Sequence, residues 1–182
     1  MDTALLLETD LIQRARQYDR QALAQIYDLY SPGLYRYAMR LLGDSNLAED
    51  CVSETFSRFL GALQRGKGPR DHLQAYLYRI AHNWITDQYR RQPPVEELDE
   101  TLPNPGEDPE SAAARLMRQA RLREAILRLT PDQQQVIALK FLEGWENEEI
   151  ANALGKPLGA VKSLQHRALE NLKRLLLNED LV

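Results

Sequence analysis

Two acidic side chains one helical turn apart, Asp50 and Glu54, have the spacing of a carboxylate pair that could serve acid-base catalysis. A solvated helix face, or one that meets a partner, fits the same pattern. His72 and His82 have no cysteine or carboxylate at metal-ligand spacing and read as surface or network histidines. The sequence holds no phosphate-binding glycine loop, no nucleophile beside a base and no metal-ligand cluster, so neither an enzyme nor a cofactor is expected. Cys51 is the single cysteine and can form no intramolecular disulfide.

A different chemistry is suggested by Gln64-Arg65-Gly66-Lys67-Gly68-Pro69-Arg70 and the helix after it, one face of which carries Tyr76, Arg79, Asn83, Asp87, Arg90 and Arg91. Cations such as Arg65, Lys67 and Arg70 hold phosphates, while flat rings and amides engage unstacked bases, so the pattern suits a nucleic-acid strand. A solvated loop beside an ordinary helix surface also fits.

The most informative stretch begins at Asn147. Counted as the first position of a ~20-residue helix-turn-helix unit, it places Ala151 fifth, Gly155 ninth, Val161 fifteenth and Leu164 eighteenth. A small fifth residue lets two helices approach, glycine at the ninth permits the positive φ of the turn, and the last two pack the helices together. Glu148, Glu149, Lys156 and Pro157 fill polar positions. The second helix then turns Lys162, Ser163, His166, Arg167 and, further along, Lys173 and Arg174 outward, as a helix in a DNA major groove does. A helical hairpin used only for protein contact is the competing reading.

Helices must position all of these groups. The 182 residues include 31 Leu and 19 Ala against 12 Val plus Ile, a balance that favours helix over strand. Stripes at three- and four-residue steps predict a helix from Asp19 to Leu42 (Leu23, Ile26, Tyr30, Leu34, Tyr37, Leu41), kinked or split at Pro32 and ended by Gly43. A second, capped by Asp44 or Ser45, buries Ala48, Val52, Phe56, Phe59 and Leu63; a third, from about Asp71 to Arg91, buries Leu73, Leu77, Ile80, Trp84 and Ile85. A short helix from Leu11 to Tyr18 precedes them. Further on, Asp108-Pro109 starts a helix with Leu116, Ala120, Leu122, Ile126 and Leu129 inward, and Thr130-Pro131-Asp132-Gln133 starts another that Gly144 closes.

Charge divides the chain in the same way. The net value of -4 resolves into +1 for residues 1–92, -7 for 93–113 and +2 for 114–182. The acidic segment has no Lys or Arg and holds Pro93, Pro94, Pro103, Pro105 and Pro109, which makes it an extended, self-repelling tether. At ~3.3 Å per residue, Gln92 to Glu107 can span roughly 50 Å. The opening Met1-Asp2-Thr3 lacks a basic n-region and no apolar run reaches ~18 residues, so a cytoplasmic protein without membrane insertion is expected.

In this order the pieces resemble the bacterial RNA polymerase sigma factors of the sigma-70 family, extracytoplasmic-function (ECF) group. The segment Ala48-Glu49-Asp50-Cys51-Val52-Ser53-Glu54-Thr55-Phe56 is similar to the family's polymerase-clamp-binding helix. Ala75-Tyr76-Leu77-Tyr78-Arg79-Ile80-Ala81-His82-Asn83, with Asp87 and Arg90-Arg91, is similar to its minus-ten-reading and promoter-melting helix. Leu129-Thr130-Pro131, Glu149-Ile150-Ala151, Leu154-Gly155, Val161-Lys162-Ser163 and Arg167-Ala168-Leu169 are similar to its minus-thirty-five-reading domain.

The resemblance implies an all-α chain of two small helical domains joined by an extended acidic linker: a region 2-like bundle (1–92), the linker (93–108) and a region 4-like helix-turn-helix domain (109–182). It implies core-polymerase contacts at Asp50, Glu54 and Phe56, and minus-ten contacts at Arg65, Lys67, Arg70, Tyr76, Arg79, Asn83, Asp87, Arg90 and Arg91. Minus-thirty-five contacts would come from Lys156, Lys162, Ser163, His166 and Arg167. The implied partners are core RNA polymerase, through its clamp helices and flap, promoter DNA, and an anti-sigma factor. The linker would thread the polymerase's active-site and RNA-exit path, and the protein would associate with the nucleoid when bound to polymerase. Gly159-Ala160 and Leu164-Gln165 stand where the family commonly has a small residue with Thr and an Arg, so its minus-thirty-five sequence does not carry over. Asn147 is expected to cap its helix where the family favours Ser or Thr. The alternatives are a stand-alone helix-turn-helix regulator, for which the acidic tether has no use, and a sigma-like adaptor that does not initiate transcription.

Overall fold

The computed structural model describes residues 3–91 and 108–178, with side chains placed for 7–91 and 108–177; the tether of residues 93–107 lies outside them. Every regular element among the described residues is helical: α1 (Thr3–Arg16), α2 (Arg20–Leu42), α3 (Ser45–Gln64), α4 (Leu73–Arg91), α5 (Pro109–Leu127), α6 (Pro131–Ile137), α7 (Asn147–Leu154) and α8 (Leu158–Asn178). None is long and apolar enough to cross a membrane.

The ends of these helices follow local chemistry. Asp44 accepts from the Leu47 amide to start α3, and Asp108 accepts from the Ser111 amide with Pro109 in the first turn of α5. Thr130 and Gln133 close a reciprocal capping box at the start of α6. Gly43, Gly144 and Gly155 take φ values of 70°, 74° and 61°, the left-handed conformation that stops a helix at little cost only for glycine.

Three local expectations are corrected. α2 runs through Pro32 as one helix, so the expected split does not occur. Ile26 before the proline and Leu34, Tyr37 and Leu41 after it are all buried in one core, and that shared burial outweighs the ~3 kcal/mol a proline costs inside a helix. In α5, Ala120 and Leu122 face solvent, whereas Ala112, Ala125 and Ile126 are the buried positions, because among the described residues α5 packs chiefly against α8 and α2. Asn147 is the first residue of α7 and not its cap; the N-cap is Glu146, whose amide donates to Glu149 at 2.7 Å. The helix begun at Pro131 also widens into a π-helical stretch, Ala138–Leu142, before Gly144 turns the chain.

α2, α3 and α4 form a bundle with α1 laid across α2 and α3; α6, α7 and α8 form a second unit flanked by α5. The inward stripes of α2, α3 and α4 fill the first core, with Phe59, Leu73, Leu77 and Ile85 at most 1% exposed. Cys51 is buried there, its thiol pushed up to about 12 by desolvation, which leaves it protonated and unreactive.

The two units are docked on each other through α4, which meets α6 and α7. Tyr78 donates to Glu143 at 2.9 Å, and its ring lies 6.1 Å from that of Trp145. Arg40 reaches the Leu142 carbonyl and the Glu143 carboxylate, and Arg123 donates to the Arg40 carbonyl at 3.2 Å. At the centre of this seam His82, 1% exposed, shares a 2.7 Å hydrogen bond with the Tyr37 hydroxyl through Nδ1. It is thus a network histidine.

Desolvation pushes the His82 imidazole down to about 4, against weaker opposite effects from the Pro131 backbone and the Gln134 side chain. In the unfolded chain a histidine titrates near 6.5. Between these values the unfolded chain takes up a proton that the folded one refuses, so the stabilisation is complete above pH ~6.5 and is lost as the pH falls below it. Urea unfolding at pH 7 and pH 5 should show the native protein losing about 2 kcal/mol more than His82→Gln over that interval. Parallel losses in the two proteins would contradict a neutral, buried His82.

Candidate nucleic-acid interface

The outer face of α3 presents Asp50 in the open, while Glu54 is held at 2.7 Å by Arg58 one turn further on. Such an exposed i,i+4 pair is worth ~0.3–0.5 kcal/mol, too little to keep Glu54 from another cation. Phe56, expected as a contact residue, is only 9% exposed. Its ring lies 4.8 Å from that of Tyr27, which is the one turned outward at 49% exposure. The surface α3 offers is therefore Asp50, Glu54 and the neighbouring exposed apolar Tyr27 and Leu60, with Phe56 beneath them.

Between α3 and α4 the basic loop leaves Arg65, Lys67 and Arg70 exposed, and none of the three is ion-paired among the described residues. Gly66 adopts a φ of 68°. A Cβ on Gly68 would come within 2.4 Å of the Leu63 Cδ2 methyl, so a larger residue there would require the Leu63 side chain to shift. On α4, Arg79, Asn83, Arg90 and Arg91 are exposed, Asp87 is half-buried, and Tyr76 is half-buried with its ring 6.3 Å from Phe59. Loop and helix thus form one basic, partly aromatic surface. Its upper part adjoins the second unit, where Arg79 donates to the Ala153 carbonyl at 3.1 Å and Asn83 lines a cleft with Pro131, Asp132, Gln135, Leu154 and Lys156.

The helix-turn-helix is made by α7 and α8. Ala151 and Val161 are buried between them and Leu164 half-buried, as their spacing implies. Gln165, at one of the positions that depart from the family pattern, donates to Asn147 Oδ1 at 2.6 Å and ties α8 to the start of α7. Lys162, Ser163, His166 and Arg167 are exposed together around one shallow depression on α8. Lys156 stands apart from them, half-buried in the cleft and paired with Asp132 at 3.1 Å.

Several participants carried no signal in the sequence. Tyr78, Glu143, Trp145 and Arg40 form the docking seam, and their partners lie 65 or more residues apart for each hydrogen bond that crosses it. In α1, Arg16 and Glu8 reach the basic loop and the start of α4, again across more than 45 residues. Among the described residues no group of three or more His, Cys, Asp or Glu could hold a metal ion.

Comparison with known proteins identifies the family of the chain. The family profile Sigma-70 region 2 matches residues 26–93, and Sigma-70, region 4 matches residues 119–172. The ECF RNA polymerase sigma factor BldN of Streptomyces coelicolor is 34% identical over 179 residues, covering 96% of this chain and 67% of the relative. The ECF RNA polymerase sigma factor SigW of Bacillus subtilis is 30% identical over 177 residues, covering 91% of this chain and 94% of the relative. Among solved structures, CnrH in complex with the cytosolic domain of CnrY has a TM-score of 0.64 at 24% identity, over 93% of this chain and 96% of that one, which shows a shared fold. With two regions matched in order and two relatives at 34% and 30% identity, the chain belongs to the extracytoplasmic-function group of sigma-70 family RNA polymerase sigma factors.

Proposed function

We propose that this sigma factor binds core RNA polymerase through the Asp50–Glu54 face of α3, reads and helps melt the minus-ten element with the basic loop and α4, and reads the minus-thirty-five element with α8. One observation carries the proposal: two separate helical units each present an exposed basic surface, Arg65 to Arg70 on one and Lys162 to Arg167 on the other. A protein that reads two stretches of one promoter needs two such surfaces, whereas a single-site regulator needs one. The chain then acts by binding, in the cytoplasm and on the nucleoid when joined to polymerase, and a protein of the anti-sigma kind is its expected inhibitor.

The roles follow from the chemistry of each surface. Carboxylates and exposed apolar groups at α3 suit a protein partner that offers cations beside apolar side chains, which is what this reading requires of the polymerase clamp helices. Phosphates are held by Arg65, Lys67 and Arg70, and the amide of Asn83 and the ring of Tyr76 suit bases that have left the stack. That binding energy offsets the few kcal/mol of unstacking. Lys162, Ser163 and His166, toward the N-terminal end of α8, are placed for base edges or phosphate, and Arg167 follows one position on.

The docked arrangement cannot itself be the promoter-bound one. Asn83 and Lys156 line a single cleft. The elements they would read are about 25 base pairs apart, about 85 Å at the ~3.4 Å rise of DNA. Promoter recognition therefore requires α4 to part from α6 and α7. The polar contacts that hold them include the Arg40–Glu143 pair at 3.4 Å, the Tyr78–Glu143 hydrogen bond at 2.9 Å and the Arg79–Ala153 hydrogen bond at 3.1 Å, each worth on the order of 1 kcal/mol. Binding to polymerase can supply the separation, and the acidic tether has the reach for it.

Run-off transcription with core enzyme over a promoter library tests the proposal. A promoter-dependent product is expected, and its absence on every template would overturn the assignment. In the same assay Asp50→Arg should weaken core binding about tenfold, equivalent to ~1.4 kcal/mol, with thermal stability unchanged; unaltered core affinity would remove the α3 face from the interface. Lys162→Ala with Arg167→Ala should lower use of promoters that carry a minus-thirty-five element and reduce the slope of log affinity against log salt by about 2. Equal losses on promoters lacking that element would contradict the role of α8.

A further inference from the structure

The N-terminal helix α1 lies outside the segment matched by the region 2 profile, which begins at residue 26, yet it makes polar contacts with the basic loop that the proposed function depends on. A single guanidinium, that of Arg16, donates to three backbone carbonyls of that loop: Gly68 at 3.1 Å, Pro69 at 3.4 Å and Gly66 at 3.4 Å. Two turns earlier on the same helix, Glu8 accepts from the Leu73 amide at 2.9 Å, the first residue of α4, and from the Tyr30 hydroxyl at 3.4 Å. The first four amides of any helix lack intrahelical acceptors. The residue before α4 is His72, which has a φ of 47° and so cannot serve as an ordinary extended N-cap. Glu8 supplies the missing acceptor from another helix, and its negative charge suits the positive end of the α4 dipole.

We propose that α1 is a positioning element for promoter opening: Arg16 fixes the backbone of residues 66–69 and Glu8 fixes the start of α4, so that the loop cations and the Asn83 face are preset for bases leaving the duplex. The inference rests on the proposed role of the loop in strand capture. Its physical basis is preorganisation. A loop with glycines at 66 and 68 has unusual backbone freedom, and ordering it at the moment of capture would subtract from the binding energy available to hold a base out of the stack. Among the described residues Arg16 spends its donors on carbonyls and not on a carboxylate, so it restrains the loop without neutralising it. Arg65, Lys67 and Arg70 keep their charges for phosphate. Neither Arg16 nor Glu8 touches DNA in this role; both act through the groups they hold.

The test uses the full chain with core polymerase, on one promoter in two forms: ordinary duplex, and the same sequence with the minus-ten region pre-opened by mismatches. Arg16→Ala should slow formation of the open complex on duplex, followed by permanganate reactivity of unpaired thymines, about tenfold. Arg16→Lys, which keeps the charge but cannot bridge three carbonyls, should be intermediate. On the pre-opened template, where unstacking is already done, Arg16→Ala should fall within about twofold of the native protein, and core affinity should be unchanged. Glu8→Gln should act in the same direction. Equal losses on both templates would reveal a general fold defect, and no loss on either would show that the loop needs no support; both overturn the proposal. Lys67→Ala with Arg70→Ala runs in parallel. If that variant opens duplex normally, the capture role of the loop fails and the inference with it. If it is slowed and Arg16→Ala is not, the positioning role alone is overturned.

Discussion

Helix α4 is asked to satisfy three neighbours at once, and the rest of the structure depends on that constraint. One side of it closes the core with α2 and α3 through Leu73, Leu77, Ala81 and Ile85. A second side meets α6 and α7, with Tyr78 and His82 buried in the seam. The third carries Arg79, Asn83, Arg90 and Arg91 outward. A helix has room for all three because its positions repeat every 3.6 residues, and two buried ones, Tyr78 and His82, meet both Tyr37 of α2 and groups of the second unit. His82 shows the cost. Tyr37 holds its Nδ1 while the Pro131 backbone and the Gln134 side chain face it from the second unit, and across the seam Gln135 Nε2 is buried with no hydrogen-bond partner among the described residues. Buried polar atoms without partners weaken an interface by ~1–3 kcal/mol each, which suits two units that associate and also separate.

The sequence reported local structure well. Caps at Asp44, Asp108 and Thr130, stops at Gly43, Gly144 and Gly155, and the burial of Ala48, Val52, Phe59, Leu63, Ala151 and Val161 are all consequences of nearest-neighbour chemistry, and they could be read from spacing alone. Where expectation and structure part, distant packing has overruled a local preference. Pro32 stays helical because residues on both sides of it share one core. Ala120 and Leu122 stay exposed because nothing among the described residues covers that face of α5.

The exposure of the candidate residues was legible in the same graded way. Charges meant for a flexible polyanion need only be exposed, so Arg65, Lys67, Arg70, Lys162 and Arg167 could be picked from composition and helical phase. Groups that position others were invisible. Arg16 and Glu8 act across about 50 and 65 residues of chain, and an arginine in the last turn of a helix has many ordinary uses. Phe56 shows the converse limit: its place in a family-like segment suggested a contact, but the inward phase of α3 puts it under Tyr27. The net charge of -4 belongs to neither helical unit; it arises in the acidic segment between them.

The central claim is that the two units, docked in the free chain, come apart when the protein reads a promoter. Spin labels at Ser53 and Lys173, both exposed and on different units, allow the separation to be followed by pulsed electron resonance. A single short distance is predicted for the free chain, and one longer by several tens of ångströms, toward the ~85 Å between promoter elements, once core polymerase and promoter are bound. An unchanged short distance in a transcribing complex would contradict the account.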